Sequence, residues 1–454
     1  MSSSSNRVQV ALETPQGPLE LRLFNHRHEL VTRGFGAVER KLRPGLYRLE
    51  IDAGPTVEER FLTVGPSGLV DRDLRVEVPS AAPVVGTSTS HEFHAGPARD
   101  HSLAARHAFG EGGRLVIFVR SMGEDPRAPV DVGGLEATDA LGNVLAGATD
   151  FDQPPGEGYA ALSAELGPGG YGLRLRRLRQ GREGDGEESI DQSVWIQEGW
   201  TTLVFVPNRP RVGRPEPEFA SIHMAKLHAG FDPYDQEMQG ANLALEIALS
   251  GLRRGRAVVP RNLEELMLRG KFGNPMLGLV GALALLHAER TNWRLFNEVR
   301  GNLKQLVPEH PDLHALHVMG KQKRRDDSES RVPARSWPPM LLACYRGLIE
   351  RDAEEERRII PAGSVADLAA SRLLAPGPWT QWRTLDAPVT DQRRHHLERQ
   401  LDELLEQVRS VTVAQGSREL LDQLGRSWQR ALEQLEIQPA TRGQWRPPGE
   451  SENP

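Results

Sequence analysis

Leu42-Arg43-Pro44-Gly45-Leu46-Tyr47-Arg48-Leu49-Glu50-Ile51 returns, loosened, as Leu166-Gly167-Pro168-Gly169-Gly170-Tyr171-Gly172-Leu173-Arg174-Leu175. Both stretches fit Leu-x-Pro-Gly-x-Tyr-x-Leu-x-aliphatic. Pro-Gly marks a tight turn, because proline presets φ and glycine accepts a positive φ. Behind it, tyrosine, leucine and an aliphatic residue alternate with arginine, glutamate or glycine, the period-two sign of a half-buried strand. A turn-and-strand unit that occurs twice predicts a duplicated β module.

Around the first copy, Val8, Val10 and Leu12 alternate, and so do Leu19, Leu21 and Leu23 after the Gln16-Gly17 turn. Leu30-Val31 follows a polar turn, and Phe61-Leu62-Thr63-Val64 closes the set. Short strands separated by turn signals predict an antiparallel β-sandwich over residues 7–65. The stretch resembles the transthyretin-like modules grouped with carboxypeptidase regulatory-like and PEGA-type domains, where a strand pair precedes a Pro-Gly-x-Tyr corner strand. That resemblance implies a non-catalytic scaffolding or binding module.

Residues 66–90 read as a bridge, partly strand and partly low-complexity. A second, larger module is expected over 91–207, around the β-branched and aromatic run Leu115-Val116-Ile117-Phe118-Val119. Leu135 and Ala137 lead through the Leu141-Gly142-Asn143 turn to Val144-Leu145, a hairpin parallel to that before the first corner. Val194, Ile196 and 203–206 supply the last strands. Four prolines within 207–217 then forbid a helix and predict a semi-rigid hinge over 208–219.

Beyond the hinge the period becomes helical, and residues 220–320 read as an α-helical domain. Asp232-Pro233 has the form of a cap with a first-turn proline, and Asn262-Leu263-Glu264-Glu265 that of a capping box. Residues 276–286, apolar nearly all round, predict a central buried helix, with further helices over 293–306 and 311–319. Residues 321–339 read as an exposed, charged, mobile loop, followed by helices over 340–350 and 364–374. Leu397, Leu401, Leu404, Val408 and Val411, then Leu421, Leu424, Trp428, Ala431 and Leu435, keep coiled-coil spacing. The 340–437 part is therefore expected to end in a helical hairpin, and 438–454 to be disordered. The fold class expected is multidomain β + α: two antiparallel β-sandwich modules, then an α-helical domain ending in a helical hairpin.

The 454 residues carry a formal charge of -6, which offers no basic footprint for a nucleic acid. Basic residues are nearly all arginine, with six lysines, which reads as coding bias. One cysteine, Cys344, leaves no internal disulfide and no multi-cysteine zinc site. No apolar run is long enough to span a bilayer, and the serine-rich start lacks a signal-peptide pattern, so a cytoplasmic, bacterial-type protein is expected.

Several constellations could carry chemistry. His310, His314 and His317 lie at i, i+4 and i+7 on one helix face, a spacing that can share a metal, although His310-Pro311-Asp312 also reads as a plain helix start. His223, His228, Asp232 and Asp235 form a second group, and His91, His94, His101 and His107 a third, the latter expected in a loop. Cys344 sits in an apolar run and reads as a buried structural thiol. G-x-S-x-G, Walker A and G-x-G-x-x-G patterns are absent from the sequence. Lys321, Lys323, Arg324 and Arg325 could form a docking patch or a protease cleavage site, and Trp428 a contact for a partner helix. The expectation is a non-enzymatic interaction or adaptor protein with no cofactor, whose partner is another protein rather than a nucleic acid or membrane. Its alternatives are a regulatory protease substrate cut within 321–339, and a metal-dependent hydrolase using His310, His314 and His317.

Overall fold

A computed structural model describes residues 7–14, 19–52, 57–74, 80–87, 91–179, 186–209, 212–253, 269–288, 290–324, 336–354 and 358–384. The capping box at 262–265, Arg325, Trp428, the helical hairpin and the 438–454 tail lie outside these residues.

The first module comprises β1 (Val8–Glu13), β2 (Glu20–Phe24), β3 (Leu30–Phe35), β4 (Ala37–Leu42), β5 (Gly45–Asp52), β6 (Val57–Val64) and β7 (Leu69–Asp71). These form one sheet in the order β4-β1-β7 and another in the order β3-β2-β5-β6. Alternation sends Val10, Leu12, Val38 and Leu42 from one sheet, and Leu21, Leu23, Tyr47, Leu49 and Ile51 from the other, into one core.

The second module begins with α1 (His91–Leu103) and β8 (His107–Ala108), then β9 (Gly113–Ser121), β10 (Leu135–Thr138), β11 (Val144–Ala146), β12 (Tyr159–Leu166), β13 (Gly169–Arg179), β14 (Gly186–Ile196), β15 (Trp200–Asn208) and β16 (Ser221–Lys226). Its sheets run β16-β15-β9-β12-β8 and β11-β10-β13-β14. Strands β9 to β15 repeat β1 to β7 one for one. The pair β1/β4 is antiparallel and β1/β7 parallel; likewise β9/β12 is antiparallel and β9/β15 parallel. The duplicated corner therefore belongs to a duplicated seven-strand topology. One sheet of each module is mixed, so the expectation of purely antiparallel modules is corrected by these parallel pairs, while the sheets β3-β2-β5-β6 and β11-β10-β13-β14 are antiparallel throughout.

The rest is helical: α2 (Gln236–Arg253), α3 (Pro275–His287), α4 (Trp293–Leu306), α5 (Pro311–Arg324), α6 (Leu342–Glu354) and α7 (Val365–Ala370), with a hairpin of β17 (Leu373–Leu374) and β18 (Gln381–Arg383). As expected, α3 is apolar all round and buried from Pro275 to Leu286, with the Asn274 side chain accepting from the Met276 N–H at its start. The α2 cap lies three residues later than expected: Asp235, not Asp232, accepts from Glu237 N–H.

Other expectations are corrected. The 208–219 stretch is a turn within a sheet rather than a hinge, since β15 runs on through Pro207 and pairs with β16 across it. The Arg209 guanidinium closes this turn on Glu216 at 2.5 and 2.6 Å. One hydrophobic core is continuous from the second module into α2–α6, so the two do not separate there. The segment holding His91, His94 and His101 is helical, despite Gly96 and Pro97. His94, Ala98 and His101, spaced four and three apart, bury one face of α1 over Phe118 and Tyr159. Nor is 321–339 simply an exposed loop. Residues 321–324 extend α5, where the Lys323 ammonium donates to the Leu286 and Ala288 carbonyls at the C-terminus of α3, as a cation there should. At the far end, Trp337, Pro338 and Pro339 are buried.

Candidate interaction surface

In both modules the corner closes the same way. The Tyr47 hydroxyl donates to the Arg43 carbonyl at 2.8 Å, and that of Tyr171 to the Gly167 carbonyl at 2.9 Å. Gly45 and Gly169 sit at φ 155° and 149°, backbone that a side chain would strain. Register then fixes equivalent positions, with Gly45 opposite Val64 and Gly169 opposite Ile196. Leu46 corresponds to Gly170, Arg48 to Gly172, Glu50 to Arg174, Glu59 to Asp191 and Phe61 to Ser193.

In the second module these outward positions are covered. The Trp337 ring lies on Gly170, where a Cβ would stand 2.1 Å from its Cδ2. Its indole N–H donates to Ser193 Oγ at 3.0 Å, and Ser193 Oγ donates to the Pro338 carbonyl at 2.8 Å. Trp382 meets Trp337 edge-on at 6.0 Å, and the Trp379 indole N–H donates to the Ala220 carbonyl at 2.7 Å. β18 pairs with β14 and so extends this sheet beyond its own seven-strand unit.

The strap bearing Trp337 is anchored by Asp312. Its carboxylate accepts the Met340 and Leu341 N–H groups, both at 2.8 Å. Burial raises the Asp312 pKa to about 7, against the pull of those two bonds and one from the Cys344 thiol. Burial beside the same carboxylate pushes the Cys344 thiol well up, which makes it inert, as read from its apolar run. His310 caps α5, its Nδ1 lying 3.3 Å from the Asp312 N–H. His317 is held at about 4 by burial and by Arg300, Lys321 and Lys304. Among the described residues no three His, Cys, Asp or Glu side chains are gathered so as to hold a metal ion.

At the rim of the covered face lies a cleft of roughly 420 Å³, solvent at its mouth included, lined by Thr138, Asp139, Arg174, Asp191, Trp337 and Trp382 among others. Its charges are already engaged with one another. Arg174 holds Asp191 at 2.8 and 3.4 Å and donates to the Gly142 carbonyl at 3.2 Å, while Asp139 accepts from Leu141 and Asn143. No nucleophile and base are paired there.

A second polar group lies deeper, and of its members only His223 was singled out in the sequence. The His223 Nε2 lies 2.7 Å from Glu246 Oε1, and Ser80 and Ser221 both donate to Glu246 Oε2 at 2.7 Å. Burial would push Glu246 up, but those bonds hold its pKa below the usual value. Ser221 gives its proton to the carboxylate and Ser80 shares its own between Glu246 and the Ala82 carbonyl at 3.0 Å, so the group staples β16, α2 and the 80–87 segment together. His228, Asp232 and Asp235 take no part in it.

Among the described residues, the first module is bare by comparison. Leu46 is 53% exposed and Phe61 69%, on the face where Trp337 is 3% exposed in the second copy. Leu30 and Val57 are exposed on the same sheet. Between them run Arg48 over the Phe24 ring at 4.7 Å, and ion pairs of Arg48 with Glu50 at 2.9 Å and with Glu59 at 3.3 Å. β6 ends the sheet, and among the described residues no strand pairs with its outer edge.

No family model matches this chain, and no curated protein matches it. A crystal structure from Bacteroides fragilis NCTC 9343, described as "a putative cell adhesion protein", aligns with 48% of this chain and 97% of its own at 7% identity, with a TM-score of 0.14. At that score the likeness carries no argument. Among the described residues no helix is long and apolar enough to cross a membrane.

Proposed function

We propose that this protein is a non-enzymatic interaction protein, built of two β-sandwich modules of one topology, and that the first presents its outer sheet face to a protein partner. The observation that carries this reading is the exposed row of Leu46 and Phe61, at positions where the second copy seats a tryptophan strap. Aromatic and aliphatic side chains interleaved with arginine on one rigid face match the make-up of protein–protein contacts. The engaged charges of the cleft and of the Glu246 group leave no assembled pair of reactive groups there, which favours binding over catalysis.

The test is comparative capture. Immobilised full-length chain and its Leu46→Ser/Phe61→Ser variant are exposed to extract of the native cell, and bound proteins are quantified by mass spectrometry. The reading requires at least one protein held by the parent and lost by the variant. Identical profiles would sink it.

A further inference from the structure

Resting on that reading, we propose that the outer edge of β6 accepts an extended segment of another protein, one carrying a basic residue flanked at two residues on either side by apolar ones. The second module supplies the precedent. Its strand β14, the counterpart of β6, is extended by β18 with Asp191 opposite Trp382 and Ile190 opposite Arg383. Arg383 Nε also reaches Glu188 at 3.1 Å. The seven-strand topology thus already receives a strand at this edge, from residues far along the same chain.

The chemistry of β6 selects the occupant. Val57, Glu59, Phe61 and Thr63 alternate on the outer face, and Glu59 is half exposed beside Arg48. An antiparallel strand in register puts one side chain opposite Glu59 and its neighbours two residues away opposite Val57 and Phe61. A basic residue between two apolar ones is the complement, with main-chain hydrogen bonds adding affinity. A second copy fits less well. Two-fold pairing centred on residue 59 sets Glu59 against itself, and centring on residue 60 sets Arg60 against itself; like charges directly opposite destabilise a ladder. Centring on Phe61 avoids both, so self-pairing is an outcome the test must separate.

The probe is the fluorescently labelled, capped heptapeptide Thr-Val-Thr-Arg-Thr-Val-Thr, titrated against full-length chain by anisotropy, with a control bearing glutamate for arginine. The arginine peptide is expected to bind roughly tenfold tighter than the control, from the change of an attractive cross-strand pair to a repulsive one. Glu59→Arg should reverse that preference, and Phe61→Ser should weaken both peptides. Absence of saturable binding, or binding indifferent to both substitutions, overturns the proposal. So does a sedimenting dimer that Phe61→Ser dissociates, which would assign the edge to a second copy. Should Glu59→Arg fail to fold, the peptide charge swap on the parent chain still decides. If the peptides fail while capture still depends on Leu46 and Phe61, strand addition falls and the face reading stands.

Discussion

The two modules share seven strands, a corner and a tyrosine-to-carbonyl bond, yet among the described residues one outer face is sealed and the other bare. The difference traces to two positions. Gly170 and Ser193 leave room for an indole and offer it an acceptor, whereas Leu46 and Phe61 fill the same sites with side chains of their own. The shared frame depends on inward alternation, whereas the outward residues differ between the two modules. In one copy they bury the molecule's own strap. In the other they meet solvent.

The comparison breaks most sharply if the second copy is given the residue of the first. Gly170→Leu drives side-chain atoms into the Trp337 ring and should expel it. Loss of a buried tryptophan with forced overpacking is worth about 3–5 kcal/mol. Urea denaturation should show that loss, with a red shift in tryptophan emission before global unfolding. An unchanged midpoint would mean that the strap does not rest on the glycine.

Asp312, the anchor of the strap, ties the same seal to pH. Its pKa is about 7 in the fold, mainly through burial, and near 3.9 in an unfolded chain. The folded state therefore binds the proton more tightly, and its stability falls as pH rises from about 4 to about 7. The loss should be on the order of 3 kcal/mol. Asp312→Asn cannot ionise and should lack that slope, whatever its absolute stability. Equal slopes for parent and variant would remove Asp312 as the source.

A smaller effect compares the corners directly. Gly167 is buried and Arg43 exposed, so water can replace the hydroxyl lost in Tyr47→Phe but not in Tyr171→Phe. The second substitution should cost about 1–2 kcal/mol and the first about 0.5 kcal/mol. Equal losses in denaturation would mean that the two bonds are equally sheltered.

Much of the frame was legible because it is periodic. The Pro-Gly-x-Tyr corner, the strand alternation and the apolar α3 all declare themselves within a few residues. What was illegible joins distant residues. Trp337 stands among serine and prolines and reads as loop, since only Gly170, far upstream, turns it into core. β18 is three residues long and exists through pairing with β14. The α1 segment contains Gly96 and Pro97, and only its buried His94, Ala98 and His101 face overrides that local signal. Lys321 and Lys323 were visible as charge, but not the α3 C-terminus that Lys323 caps. Among the histidines, i, i+4, i+7 spacing was real, yet one became a cap and another the neighbour of Arg300.

The smallest expected effect bears most on function. Leu46 and Phe61 touch solvent over more than half their surface, so replacing both with serine should leave stability within about 0.5 kcal/mol of the parent. The proposed contact face requires that outcome, since large apolar side chains kept for a partner are ones that folding does not need. Their counterparts make the contrast measurable, because Trp337→Ser at the sealed face should cost about 3–5 kcal/mol. If Leu46→Ser/Phe61→Ser instead lowers the unfolding midpoint as far as Trp337→Ser does, the bare face is covered within the protein itself. The asymmetry between the modules would then be one of which segment covers each, not of whether it is covered.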